Sequence, residues 1–323
     1  MATGPRNLIT DVAGVRVGHA DDERVRTGVS VLLADRPLRA AVDVRGGGPG
    51  TRETEALGLE TLVDRIDALV LAGGSVYGLA AADAVCRRLG AAGQGFSLVD
   101  MPAVPVTPIV PAAILYDLAN GGAKDWGEAP PYGALGEVAL AAATELFGLG
   151  AVGAGAGATA GAHPGGLGSA SWVSSQGFTV GALAAVNSFG SPYVPGTKQF
   201  WAAPFEVNGE FGGRGIPPDP SVRGFPPDSK VGAAVRANTT LAVVATDADL
   251  GAADLRRIAM MAQDGLARAI RPAHGPTDGD TVFAISTADK PVSAPLGAVT
   301  ELGTLAADVL ARAVARGVFA AER

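Results

Sequence analysis

The sequence predicts an α+β fold in which strands and helices form separate layers, and three observations carry that prediction. Apolar runs of strand length and stretches of helical periodicity are segregated along the chain, which argues against a doubly wound parallel sheet. The hydrophobic fraction of 48% over 323 residues suffices for a continuous core in one large domain or two. The 46 glycines, set against 5% aromatic residues, make that core one of Ala, Val and Gly, where backbones approach closely. No internal repeat is visible.

The elements follow in order. Residues 12–17, 28–33 and 40–44 alternate well enough for antiparallel strands. Residues 45–54 are too glycine-rich for an element; they read as a loop brought close to another part of the fold, ending in caps for a helix from about Glu55. Residues 67–72 form a short apolar strand that Gly73-Gly74-Ser75 turns into a helix over residues 76–89. Such a turn presents backbone N–H groups where an anion or oxyanion can sit, and equally serves as a plain tight turn. Residues 104–118 are apolar but carry Pro105, Pro108 and Pro111, so a strand there is bulged or on an edge. Residues 132–147 repeat apolar side chains at three and four, a helix.

The Gly-Ala alternation of residues 153–166 lacks the Gly-Lys-Ser/Thr ending of a phosphate loop and the later acidic residue of a dinucleotide site, so nucleotide binding is not expected. Residues 169–174 and 179–186 pair as strands around Gln176-Gly177, the second ending at Asn187. Residues 188–230 turn to Pro, Gly and charge and read as a mobile segment. Arg236-Ala237-Asn238-Thr239-Thr240 then leads into the buried strand 241–245, followed by a helix over 252–270, Asp278-Gly279-Asp280 ahead of a strand at 281–286, and a closing helix over 302–318.

A formal charge of -7, with no basic cluster in the sequence to displace phosphate counterions, argues against nucleic acid, and a small-molecule or peptide substrate is expected. The first residues have no apolar core of signal-peptide length, and no run of about 18 apolar residues occurs later, which points to a cytoplasmic protein without a membrane partner. The single cysteine, Cys86, excludes an internal disulfide and sits on what reads as a buried helix face. His19, His163 and His274 lack metal-site spacing, so no metal is expected.

The chemistry concentrates at Thr239. If the Asn238-Thr239 bond opens, one residue carries both nucleophile and base: the hydroxyl attacks, and the freed α-amine, with a reference pKa of about 8, accepts the proton. In the uncut chain the same hydroxyl can attack the Asn238 carbonyl, giving an ester that water opens. Taken alone, Asn-Thr-Thr equally fits a turn running into a β-branched strand.

Together, Asn238-Thr239-Thr240, Ala185-Val186-Asn187, Gly73-Gly74-Ser75-Val76-Tyr77-Gly78, Thr277-Asp278-Gly279-Asp280-Thr281 and the glycine loop from Arg45 resemble the self-processing family of L-aminopeptidase/D-esterase, the β-aminopeptidases and the endo-type nylon-oligomer hydrolases. The likeness runs in order through nearly the whole chain. It implies a single αββα layered sandwich over residues 1–323, of the N-terminal-nucleophile hydrolase type shared with the ornithine acetyltransferases. It also implies cleavage into an α chain, 1–238, and a β chain, 239–323, with αβ units assembling as homo-oligomers, often tetramers. Thr239 matches the nucleophile and Asn187 the amide that binds the oxyanion. Asp278 and Asp280 match the acidic pair that orients the freed amine, where the bland alternative is a solvated turn. Tyr77 matches an aromatic of the pocket wall, either a second oxyanion donor or simple packing. Several relatives carry a lysine at the end of the Gly-Ala loop where this chain has His163-Pro164: either His163 takes over, or the lysine is not needed, or another lysine folds in.

The implied reaction is amide hydrolysis without metal or organic cofactor. An Asn-Thr junction resembles that of the nylon-oligomer hydrolases, whereas some aminopeptidase relatives use Gly-Ser. This leans the substrate toward amides of linear ω-amino acids, with L-aminopeptidase or β-aminopeptidase activity as the alternative. Further alternatives are an acyltransferase and an uncut binding protein that keeps only the fold.

Overall fold

A computed structural model gives the fold and describes residues 2–99, 101–217, 224–230 and 238–322. In chain order its strands are β1 (Val15–Asp22), β2 (Thr27–Val44), β3 (Thr51–Arg52), β4 (Arg65–Ala72), β5 (Ala112–Ile114), β6 (Thr159–Ala160), β7 (His163–Pro164), β8 (Gly166–Val173), β9 (Thr179–Asn187), β10 (Thr239–Ala248) and β11 (Thr281–Lys290). The helices are α1 (Ala80–Ala91), α2 (Tyr132–Ala141), α3 (Ala252–Ala269) and α4 (Pro295–Ala321). Hydrogen bonds run in the order β3-β5-β4-β2-β11-β10-β9-β8, with β1 on β2, while β6 and β7 pair separately.

This path is two stacked sheets joined through β2. Its first half pairs with β1 and β4, its second half with β11, and the register with β4 shifts between Leu33 and Leu38. Pro37 lies in that shift, where its missing N–H interrupts the ladder and lets the strand pass from one sheet to the other.

Side-chain alternation then builds three cores between four layers. Leu32, Leu71, Leu183, Leu241, Val243 and Phe283 face inward and fill the space between the sheets. Their neighbours Ala182, Ala184, Ala242, Val244 and Ala284 point outward under α3 and α4. On the far side Val29, Val31, Val70 and Ala72 pack under α1 and α2. The order helix, sheet, sheet, helix is the αββα sandwich, and the two inner-facing sets alternate with the outer ones residue by residue.

Several elements differ from the sequence reading. The helix expected from Glu55 is a single 3₁₀ turn, Thr54–Leu57, stopped at Gly58. The helix at 132 ends at Ala141, because Thr144 leaves it to exchange backbone hydrogen bonds with Val17. Of residues 104–118 only Ala112–Ile114 is a strand, and it lies between β3 and β4. α1 begins only after a 3₁₀ turn over Ser75–Leu79. Cys86 is half-buried, its Sγ 3.6 Å from the Pro108 carbonyl oxygen.

The largest correction concerns residues 188–230. Tyr193, Phe200 and Phe211 are buried in the core under α4, and Ser191 bridges Arg271, so residues 191–211 are packed structure. The aromatic anchors outweigh the Pro and Gly between them. Pro218 and Pro220 of that segment, and Arg236 and Ala237 ahead of the junction, lie outside the described residues. Among the described residues no helix is long and apolar enough to cross a membrane.

Candidate active site

Four strand ends of the second sheet meet at one edge. β9 runs antiparallel to β10 with Asn187 opposite Thr239. β11 runs parallel to β10 with Thr281 beside Leu241, and Val44, the end of β2, sits opposite Thr281. The sheet therefore brings the last residue of β9, the first of β10, the loop before β11 and the glycine loop after β2 to one place, from segments far apart in sequence.

Backbone lies directly on backbone there. Gly48 N–H donates to the Asp278 carbonyl at 2.7 Å and Arg45 N–H to that of Asp280 at 3.0 Å. A Cβ on Gly46 would stand 2.3 Å from the Asp278 carbonyl oxygen, so the loop needs glycine at this position. Gly279 is equally constrained, since a Cβ there would stand 2.6 Å from Thr239 Oγ1.

Thr239 is buried, and its hydroxyl donates to the carbonyl oxygen of Asn238, the residue before it. Asp278 and Asp280 are 1% and 3% exposed, so residues 277–281 are not a solvated turn. The loop closes on itself through Asp278 N–H to the Gly275 carbonyl, which sends the two carboxylates to different partners. Asp280 Oδ1 accepts the Thr240 N–H at 2.8 Å; its Oδ2 accepts the His274 N–H at 2.9 Å and lies 2.8 Å from His274 Nδ1. Asp278 accepts the Gly275 N–H at 2.7 Å and the Phe189 N–H at 3.2 Å. Burial, reinforced by the charge of Asp280, pushes the Asp278 carboxyl up to about 6.

The amide of Asn187 is held in one orientation. Its Oδ1 accepts the Thr159 N–H at 2.9 Å and a Lys230 Nζ hydrogen at 3.3 Å, while its Nδ2 donates to the Tyr116 carbonyl at 3.0 Å. The Thr159 N–H, which can only donate, and the Tyr116 carbonyl, which can only accept, leave a single assignment of the amide oxygen and nitrogen.

Lys230 is the residue that sequence reasoning missed. It is 5% exposed and also donates to the Asn187 backbone carbonyl at 3.1 Å. Burial pulls its ammonium down to about 7, with Asp278 opposing. His163, by contrast, points to Asp228, 3.6 Å away, and packs edge-on against Tyr193. With Ala162 N–H on the Asp228 carbonyl, it helps seat the segment that carries Lys230. The lysine beside Asn187 thus comes from another part of the chain, and His163 stands one step behind it. His274, weighed in the sequence only as a metal ligand, is the partner of Asp280.

Tyr77 is 48% exposed and meets Trp126 edge to face at 5.7 Å; among the described residues it makes no hydrogen bond or ring contact that reaches Thr239. The N–H groups of the preceding turn are spent internally, Gly73 on Gly28, Gly74 on Asp117 Oδ1 and Ser75 on Leu115. The anion site considered for that turn gives way to a tight turn.

Known proteins resemble this chain over nearly its whole length. Residues 7–323 match peptidase family S58. An uncharacterized aminopeptidase of Mycobacterium tuberculosis is 44% identical over 335 residues, covering 98% of this chain and 94% of its own. A 6-aminohexanoate-oligomer endohydrolase of Paenarthrobacter ureafaciens is 29% identical over 340 residues, covering 97% and 86%. Among solved structures, a Burkholderia sp. β-aminopeptidase superposes with a TM-score of 0.69 at 24% identity, covering 98% of this chain and 87% of that one. The L-aminopeptidase D-Ala-esterase/amidase of Ochrobactrum anthropi, a variant of the N-terminal-nucleophile hydrolase fold, gives 0.68 at 24%, covering 99% and 87%. Sequence and fold lead to one conclusion: the chain belongs to peptidase family S58, a hydrolase of amide bonds with the N-terminal-nucleophile fold.

Proposed function

We propose that the chain cuts itself between Asn238 and Thr239 and that the new N-terminal Thr239 then hydrolyses amides of peptides or of linear ω-amino-acid oligomers. The observation that carries this reading is the Thr239 hydroxyl lying on the carbonyl of Asn238, directly across the ladder from the Asn187 amide. In maturation Oγ1 attacks that carbonyl carbon, the C–N bond breaks to leave an ester, and water releases Asn238 as a carboxylate. In turnover the freed amine takes the hydroxyl proton while Oγ1 attacks the substrate carbonyl. Asn187 donates to the oxyanion, the leaving amine departs protonated, and water cleaves the acyl ester. Asp280, bound to the N–H of the next residue, and Asp278 orient the amine.

The 44% relative named an aminopeptidase supports substrates with a free amino end. The Asn-Thr junction and the 29% relative support ω-amino-acid oligomers as a second class. Homo-oligomers of αβ units, tetramers among them, belong to the same reading. Denaturing electrophoresis with N-terminal sequencing tests the first step: purified protein is expected to resolve into 1–238 and 239–323, the smaller chain beginning Thr-Thr-Leu-Ala-Val. A single full-length band overturns the reading. Hydrolysis of amino-acid anilides against 6-aminohexanoate oligomers then separates the two substrate classes.

A pH prediction follows from the buried charges. Lys230 favours the ionised form of Asp278, so removing it raises the Asp278 pKa above about 6. In mature Lys230→Met the acidic limb of the kcat profile is expected to move to higher pH, and kcat at its plateau to fall about tenfold as the Asn187 amide loses a donor. An unmoved limb means that Asp278 does not titrate in turnover.

A further inference from the structure

We infer that Asp117 is a positioning residue for the oxyanion amide, bracing the two backbone groups that hold the Asn187 side chain, the Tyr116 carbonyl and the Thr159 N–H; the inference rests on the role proposed for Asn187. Asp117 is 2% exposed, outside every motif singled out in the sequence, and its two carboxylate oxygens are shared between distant segments. Oδ1 accepts the Gly74 N–H at 2.7 Å, and Oδ2 accepts the Thr27 hydroxyl at 2.6 Å. A buried carboxylate placed between two loops is costly unless such donors meet it. Burial pushes its carboxyl above the usual range, opposed by these donors and by Lys124.

The clamp acts on Asn187 from two sides. The residue before Asp117 is Tyr116, whose carbonyl takes the Asn187 Nδ2 hydrogen. Fixing Asp117 on Gly74 and Thr27 fixes that carbonyl, because Leu115 is already bound between Ala72 and Ser75. On the other side, Gly157 lies against the same group: a Cβ there would stand 2.9 Å from Asp117 Oδ2 and 2.0 Å from the Arg26 carbonyl oxygen. Asn120 closes this contact, donating to the carbonyls of Arg26 at 2.6 Å and Gly157 at 3.1 Å. Two residues beyond Gly157 is Thr159, whose N–H holds Asn187 Oδ1. Acceptor and donor of the amide are therefore both within two residues of backbone that Asp117 and its neighbours lock. Gly74 also opens the turn that carries Tyr77, so the same carboxylate sets where that ring stands.

The chemistry separates substitutions at this position. In Asp117→Asn the Oδ1 can still accept the Gly74 N–H, and the Thr27 hydroxyl can rotate to accept from the new Nδ2, so the clamp survives. In Asp117→Ala both donors are orphaned and the loops are free to part. The experiment measures kcat and KM per cut chain for wild type, Asp117→Ala, Asp117→Asn, Asn187→Ala and the Asp117→Ala/Asn187→Ala double variant. Asp117→Ala is expected to lose about 10- to 100-fold in kcat with KM within about threefold, since small misplacements of a reacting group cost that much. Asp117→Asn is expected within about threefold of wild type, and the Asp117→Ala loss is expected to vanish when Asn187 is already Ala.

An equal loss in both backgrounds, or a kcat for Asp117→Ala within about threefold of wild type, overturns the inference. Where Asp117→Ala does not fold, Thr27→Val removes one donor at nearly constant volume, and the same cycle with Asn187→Ala is read instead. Failure of the underlying reading has its own signature, a near-normal kcat in Asn187→Ala alone.

Discussion

Thr239→Ala is expected to remain a single 323-residue chain with no measurable amide hydrolysis, at least about 10⁴-fold below the cut enzyme. On the proposed mechanism the loss is double, because one oxygen serves both steps. Without Oγ1 nothing attacks the Asn238 carbonyl, so no amine is freed, and the nucleophile for substrate is absent as well. The substitution is small in structural terms. Thr239 starts β10 at a buried position, pairs through its backbone with Asn187, and its hydroxyl bonds only locally to Asn238. The protein should fold, and its melting temperature should stay close to that of an uncut wild-type chain. Thr239→Ser keeps the oxygen and should still cut, so it separates loss of the hydroxyl from loss of the methyl group. A Thr239→Ala protein that still divides at this bond, or still turns over an amide, removes Thr239 from the mechanism.

The placement of the candidate site residues was legible where they coincide with the ends of regular elements. Asn187 closes an apolar strand and Thr239 opens another, and strand alternation is enough to place both; their pairing follows once β9 and β10 are antiparallel neighbours. The glycine loop was legible as a close approach, since three glycines in a row let backbone lie on backbone, and it lies on the Asp278–Asp280 backbone. The αββα layering itself came from resemblance, because β2 belongs to both sheets and the one local mark of its crossing, Pro37, reads equally as an edge-strand proline.

Lys230 was illegible for a different reason. It ends a stretch whose prolines and glycines read as mobile, and its meaning comes from tertiary contacts with Asn187 that leave no periodic trace. The same holds for the packing of residues 191–211, where Tyr193, Phe200 and Phe211 act as widely spaced anchors. His274 is held by Asp280 six residues away through a backbone turn with φ of 59° at the histidine, a geometry that its sequence neighbours do not signal. Asp117 belongs to this class too: a lone carboxylate among apolar residues gains the role inferred for it only from the three distant segments that close around it.

Asn187→Ala is expected to lower kcat about 10² to 10³-fold, or about 2.7 to 4 kcal/mol of transition-state stabilisation, with a much smaller change in KM. The asymmetry follows from when the amide acts. A donor aimed at a developing oxyanion gains most of its interaction as charge accumulates, so its removal is felt in turnover more than in binding. If Asn187 is that donor, it is held ready: Thr159 and Lys230 fix the oxygen of the amide and Tyr116 one hydrogen of its nitrogen, so the side chain reorganises little when the oxyanion forms. The same substitution strips Lys230 and Thr159 of an acceptor in a buried place, so a fall in melting temperature is expected beside the kinetic loss. Maturation should slow as well, because the Asn238 carbonyl passes through an oxyanion when Oγ1 attacks it. Kinetics must therefore be expressed per cut chain, with the cut fraction read from a denaturing gel. If fully cut, folded Asn187→Ala turns over within about threefold of wild type, the oxyanion donor is another group.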